Sequence, residues 1–157
     1  MDGLERFIQA QGTYPLINEK NSRFDLFFPN DYASALEEVK RGKKVGHWIW
    51  YIFPQLKGLG HSYNSNFYGI SDFEEAQAYL NHPILGSRLR EITNVLLNQT
   101  EDFSAQDIFG GIDSMKVKSC MTLFYMASKE QLFLDVLNRY YKGSFDKRTL
   151  EKLGLEI

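Results

Sequence analysis

The stretch SDFEEAQAYLNHPILGSRLREITNVLL, residues 71–97, decides the fold. It opens Ser71-Asp72-Phe73-Glu74, the pattern of a capping box with Ser71 at the N-cap and Glu74 at the third helical position. Phe73, Ala76, Gln77 and Leu80 then recur at the helical interval until His82-Pro83, where proline stops one helix and fits the first turn of the next. Ile84, Leu85, Leu89, Ile92, Leu96 and Leu97 carry the same interval onward as one apolar stripe. Two amphipathic helices meeting at a proline corner predict an all-α chain.

The same punctuation extends in both directions. Leu4, Phe7, Ile8 and Gln11 form one stripe of a short first helix ended by Gly12, and Asp31 caps a helix with Ala35, Leu36 and Val39 on its buried side and Gly42 at its end. Residues 13–30 break the period with Pro15, Pro29 and polar clusters, and read as a loop or insertion with a short extended piece at Phe24–Phe28. Downstream, Ser104 opens a turn through Asp107-Ile108-Phe109, which Gly110-Gly111 breaks. Asp113 caps a helix carrying Val117, Cys120, Met121, Phe124 and Tyr125. Leu132, Phe133, Val136, Leu137 and Tyr140 mark another, closed by Gly143, and Asp146 starts a last one through Leu150 and Leu153 to Gly154. The expectation is a compact multihelical single domain over residues 1–157 with about seven or eight helices.

Composition narrows the function classes. The 157 residues suffice for one domain with a real core, and a formal net charge of −2 supplies no positive field for nucleic acid or an anionic membrane. Cys120 is the only cysteine, so no internal disulfide can form and a cytoplasmic setting is expected. Met1-Asp2-Gly3-Leu4-Glu5-Arg6 does not read as a secretory signal, and no apolar run reaches membrane-spanning length. One Cys and three His at unpaired spacings give no metal site, and no cofactor is indicated.

Both tryptophans and two of the three histidines fall in Gly46-His47-Trp48-Ile49-Trp50-Tyr51-Ile52-Phe53-Pro54-Gln55-Leu56-Lys57-Gly58-Leu59-Gly60-His61-Ser62. If helical, Trp48, Ile52 and Gln55 share a face, which turns Trp48 to the core and leaves Trp50 or Tyr51 nearer a cavity, with Phe53 alongside. His47 and Gln55 would form its polar edge. The Gly58–Gly60 turn, with His61 and Ser62 after it, could aim main-chain N–H groups at a phosphate or carboxylate, although no Walker ending follows. Lys116 and Ser119 lie early in the helix after Gly110-Gly111, where anions are attracted. Glu37, Glu38, Lys40, Arg41, Lys43 and Lys44 read as an exposed charged helix and its dipole-compensating end, and Asp72, Glu74, Asp107 and Asp113 as helix-start residues.

His47 through Gly60, then Tyr68-Gly69-Ile70, then Ala78 through Leu89 resemble the uncharacterised family called domain of unknown function 1810, some of whose members carry the label calpastatin. The resemblance continues through Ile108-Phe109-Gly110, Lys116–Phe124 and Asp146–Leu150, and implies one multihelical domain without supplying a reaction. Against the family pattern, the stretch between Gln11 and Asp31 is longer and Cys120 replaces a usual serine. A looser likeness joins Lys116, Met121, Phe124, Phe133, Leu137, Thr149 and Leu150 to the C-terminal part of the NADAR family, which processes ADP-ribose linkages. That likeness implies an aromatic run that stacks a base or ribose and a Lys116 that holds phosphate. The expected function is a pocket for a nucleotide-like or ADP-ribose-like ligand, extending to N-glycosyl hydrolysis, with no membrane or nucleic-acid partner. The alternative is a non-enzymatic protein-interaction module whose aromatic run is purely core.

Overall fold

The computed structural model describes residues 3–12 and 31–155, so the expected loop at 13–30 and its extended piece at Phe24–Phe28 lie outside the described residues. Ten helices run through that part of the chain: α1 (Glu5–Gln11), α2 (Asp31–Arg41), α3 (Ile49–Ile52), α4 (Tyr63–Phe67), α5 (Phe73–Asn81), α6 (Leu85–Leu97), α7 (Ala105–Phe109), α8 (Gly111–Ser128), α9 (Gln131–Tyr141) and α10 (Lys147–Lys152). The fold is all-α. Among the described residues the extended backbone amounts to one parallel bridge between Leu56 and Ile70.

Helix α8 is the axis. Residues Ser119 to Phe124 are all buried, so the helix is enclosed on every side and not along one stripe. It packs against α5, α9, α7, α10 and α3, while α6 packs against α9, α2 and α5. Its hydroxyls are satisfied locally, Ser119 Oγ donating to Met115 O at 3.1 Å and Thr122 Oγ1 to Lys118 O at 2.9 Å. An aromatic relay crosses the core from Phe7 edge-on to Tyr79 at 5.1 Å, to Phe124 at 5.4 Å and on to Phe133 at 6.1 Å. Each fully buried ring or branched chain of this kind contributes about 1.5–3 kcal/mol relative to its exposure.

Several helix ends sit where the sequence puts them. Gly42 takes φ +81° after α2, Ser104 and Asp107 form a reciprocal capping box on α7, and Asp146 caps α10 through Thr149 N at 3.0 Å. Three expectations shift. On α5 the N-cap is Asp72, not Ser71: its carboxylate accepts from Glu75 N at 2.8 Å, and Glu75 Oε1 accepts from Ser71 N at 2.9 Å. Glu75, and not Glu74, is the acid that reaches back, to the N–H of the residue before the cap, and it also pairs with Arg6 at 3.1 Å. Helix α8 begins at Gly111, two residues before the expected cap, so Asp113 stands within its first turn. Asp31 is likewise the first helical residue of α2 and not a residue outside it.

The aromatic run also departs from a continuous helix. Only Ile49–Ile52 form a turn of helix, and Phe53 leaves with φ −120° and ψ +73°. The chain then makes a closed excursion whose neck is the Leu56–Ile70 bridge, with Lys57 N donating to Ile70 O at 2.8 Å and Ile70 N to Gln55 O at 2.9 Å. Inside it Ser62 caps α4, accepting from Ser65 N at 3.1 Å. No described helix is long and apolar enough to cross a membrane.

Candidate ligand-binding face

The face is organised by a carboxylate that the sequence disguises as a surface charge. Glu38 on α2 is 8% exposed, and its Oε1 accepts from Val45 N at 2.6 Å, Gly46 N at 2.9 Å and Trp48 Nε1 at 3.0 Å. Three donors on one oxygen pin the loop between α2 and α3. Burial by itself pushes the Glu38 pKa up, but the N–H groups of Gly46 and Val45, the Trp48 indole and the charge of Arg41 outweigh it, holding the carboxyl below its ordinary value.

That loop sets Lys44 over Trp48, while α8 sets Lys116 over Trp50. Lys44 Nζ donates to Gly46 O at 2.5 Å, pairs with Asp113 Oδ2 at 2.9 Å and lies 5.1 Å from the Trp48 ring centre. Lys116 Nζ pairs with Asp113 Oδ1 at 3.1 Å and lies 5.2 Å from the Trp50 ring centre. Asp113 thus sits between two ammonium groups, each of which is also attracted to the face of an indole. Trp48 is buried, and packs against Phe53 at 6.2 Å and edge-on to Phe109 at 6.5 Å. Trp50 is half-buried, and its Nε1 is shielded from solvent without an acceptor among the described residues. The first turn of α8, which carries Lys116 further along, is open: nothing lies within 4 Å of where a side chain at Gly110 or Gly111 would start.

The structure brings together Trp48, Trp50 and Lys116 from the expected set and separates the rest. Phe53 is buried beneath Trp48, and Ser119 is buried with its hydroxyl turned back onto Met115 O. Tyr51 points away from Trp50: its hydroxyl donates to Asp31 Oδ2 at 2.5 Å and its ring meets Tyr68 at 5.1 Å. Burial, and then the bond to Asp31, push its pKa well above the ordinary phenol value. Gln55 is buried at the neck of the excursion, with its Nε2 beside Gly60. Gly58 has φ +97° and faces the Lys152 ammonium, whereas Gly60 allows close approach of the Ser65 side chain. Ser62 is occupied as a cap, and His61 is exposed. His47 is exposed too, and among the described residues no hydrogen bond or ion pair joins it to Gln55 or to a carboxylate. The third histidine is structural, His82 Nδ1 accepting from Ile84 N at 3.1 Å and Leu85 N at 3.2 Å.

Sequence reasoning missed Glu38, Lys44 and Asp113 as members of this face. One signal was present for Glu38: it falls three residues after Ala35 and one before Val39, on the buried side of α2. Nothing local marks Asp113 as the bridge between Lys44 and Lys116, because the partner loop is remote in sequence.

The family described as "Protein of unknown function (DUF1810)" matches residues 1–153, and the chain belongs to it. The chain is similar to the conserved hypothetical protein Rv1873 from Mycobacterium tuberculosis, whose crystal structure at 1.38 Å superposes with a TM-score of 0.83. The two share 41% sequence identity over 98% of this chain and 97% of that one. No curated protein matches the chain.

Proposed function

We propose that this member of the DUF1810 family binds a small planar anion of nucleotide type on the face made by Trp50, Lys116, Lys44 and the Gly110–Gly111 turn. The observation that carries the reading is Trp50, a half-buried indole with an ammonium over its ring and a shielded indole N–H left without an acceptor among the described residues. A base or ribose stacks on the ring, Lys116 swings from the ring to the phosphate, and Asp113 keeps Lys44 as its counter-ion. The likeness of the C-terminal part to the NADAR pattern favours an ADP-ribose-like ligand. Binding is favoured over glycosidic hydrolysis: His47 stands exposed and unpartnered among the described residues, and Asp113 is held by two lysines, so no paired acid and base face the ring.

Thermal-shift titration with ADP-ribose, NAD and AMP tests it. At tenfold excess over Kd a ligand adds about 1.4 kcal/mol, or roughly 3–6 °C in Tm for a chain of this size. Trp50→Ala and Lys116→Ala should abolish the shift while His47→Ala keeps it, and NAD should bind without release of nicotinamide. No shift at millimolar ligand, or a full shift in Trp50→Ala, overturns the reading. One observation favours a second reading, in which a protein covers the same face: Val45, Ile112 and Met115, flanking the Lys44–Asp113 pair and Lys116, are 70%, 79% and 51% exposed.

A further inference from the structure

Large apolar side chains stand in water around the ion pairs of the Trp50 face. Val45, Ile112 and Met115 are exposed, and each is the sequence neighbour of a charged member, Lys44, Asp113 and Lys116 in turn. The charges themselves are recessed: the Lys44 side chain is 9% exposed, and those of Asp113 and Lys116 are 20% exposed. On α8, Ile112, Met115 and Lys116 occupy the i, i+3 and i+4 positions of one helical face, and the salt bridge from Lys44 to Asp113 holds the Val45 loop against the same turn. An apolar strip thus borders the lysine whose ammonium lies over Trp50.

Neither packing nor helix formation accounts for the strip. The core side of α8 is furnished by Ser114, Val117 and the run Ser119 to Phe124, so Ile112 and Met115 add little to it. A branched isoleucine in a solvated first turn also forms helix less readily than lysine or glutamate would. One exposed apolar side chain is ordinary, but a group of them around a recessed charged cluster is the pattern of a contact surface. Charge selects what covers it. Two ammonium groups against one carboxylate leave the cluster at a net +1, which favours an anion, and Trp50 supplies a ring on which that anion can stack.

We propose that the ligand of this face is a nucleotide that carries an aliphatic chain on its phosphate, the chain lying along Ile112 and Met115 toward Val45. The inference rests on the nucleotide reading and adds the chain to it. The base stacks on Trp50, the phosphate meets Lys116, and the chain leaves the phosphate over the apolar strip. Access is free from the start of α8, where no atom lies within 4 Å of a side chain begun at Gly110 or Gly111.

Isothermal titration of the intact protein with AMP and with the methyl, butyl and octyl esters of its phosphate tests the chain. The esters carry equal charge, so chain length alone varies among them. A fully buried methylene tightens binding about fourfold, and a chain on an open surface keeps about half of that free energy, so the octyl ester should bind at least about ten times more tightly than the methyl ester. Ile112→Ser combined with Met115→Ser, both at exposed positions where exchange leaves the fold intact, should bring the octyl ester to within about twofold of the methyl ester and leave AMP unchanged. Trp50→Ala should weaken every ester alike. Binding of AMP with a flat ester series overturns this inference and leaves the nucleotide reading standing, whereas no binding by AMP or any ester overturns both. A gain with chain length that persists in the double variant, or equally tight binding of octyl glucoside, also overturns it. Sedimentation tests the rival occupant: a dimer of the free protein that dissociates in the double variant gives the strip to a second copy and overturns the proposal.

Discussion

Glu38 concentrates more structural consequence in one atom than any other polar residue of the candidate face. Its Oε1 holds Val45 N, Gly46 N and the Trp48 indole, so the loop carrying Lys44 is fixed relative to α2, and Lys44 in turn fixes Asp113. Glu38→Gln keeps the shape and one acceptor but removes the charge that makes these bonds strong, and should cost about 1–3 kcal/mol in urea unfolding. The pH sign follows from the lowered carboxyl. Because the folded pKa lies below the ordinary glutamate value, the stabilisation is complete above that ordinary value and is lost as pH falls through the folded one. Wild-type stability should therefore decline on acidification below about pH 4.5 more steeply than that of Glu38→Gln, the two curves converging in acid. Parallel curves would show that the carboxylate is not the titrating group.

Two glycines with opposite surroundings test the packing of the elements. At Gly86, near the start of α6, a Cβ would stand 2.1 Å from Leu80 O, where the end of α5 crosses it. Backbone cannot yield as a side chain can, so Gly86→Ala should destabilise by about 1–3 kcal/mol despite alanine's better helix propensity. At Gly111, in the first turn of α8, a Cβ meets nothing within 4 Å, and Gly111→Ala should be neutral or stabilising by up to about 1 kcal/mol. Chemical denaturation of both variants gives the comparison, and equal effects would contradict the crossing. The long helices were legible in sequence because caps and apolar period agree locally: Gly42, Ser104 with Asp107, Pro83 and Asp146 each mark a boundary from neighbours a few residues away. Helices α3 and α4 were not legible. Their geometry depends on the Leu56–Ile70 bridge, a pairing across the excursion that no local interval announces. The candidate face was half legible for the same reason: Trp50 and Lys116 stand out by residue type, but Glu38 and Asp113 gain their roles only when remote loops dock.

At the scale of the whole chain, α8 makes the fold depend on one buried element, and Cys120 reports on it. The thiol is 0% exposed in the middle of that helix, and burial pushes its pKa well above the ordinary value, so both access and ionisation are suppressed. Helices α5, α7, α9 and α10 all pack on α8, and the aromatic relay from Phe7 through Tyr79 to Phe124 and Phe133 ties α1 and α9 to the same core. No element can leave α8 without stripping its neighbours of their partners. If residues 1–157 form the single domain that the sequence predicts, exposure of Cys120 requires global unfolding. Labelling by a thiol reagent should then be slower than for an unfolded control by a factor of at least about 10³, as the usual 5–15 kcal/mol of domain stability dictates. Its dependence on urea should match the slope of the equilibrium unfolding transition, because the same surface opens in both. Labelling that is fast and independent of urea would reveal a local opening around α8 and would divide the chain into units that unfold separately.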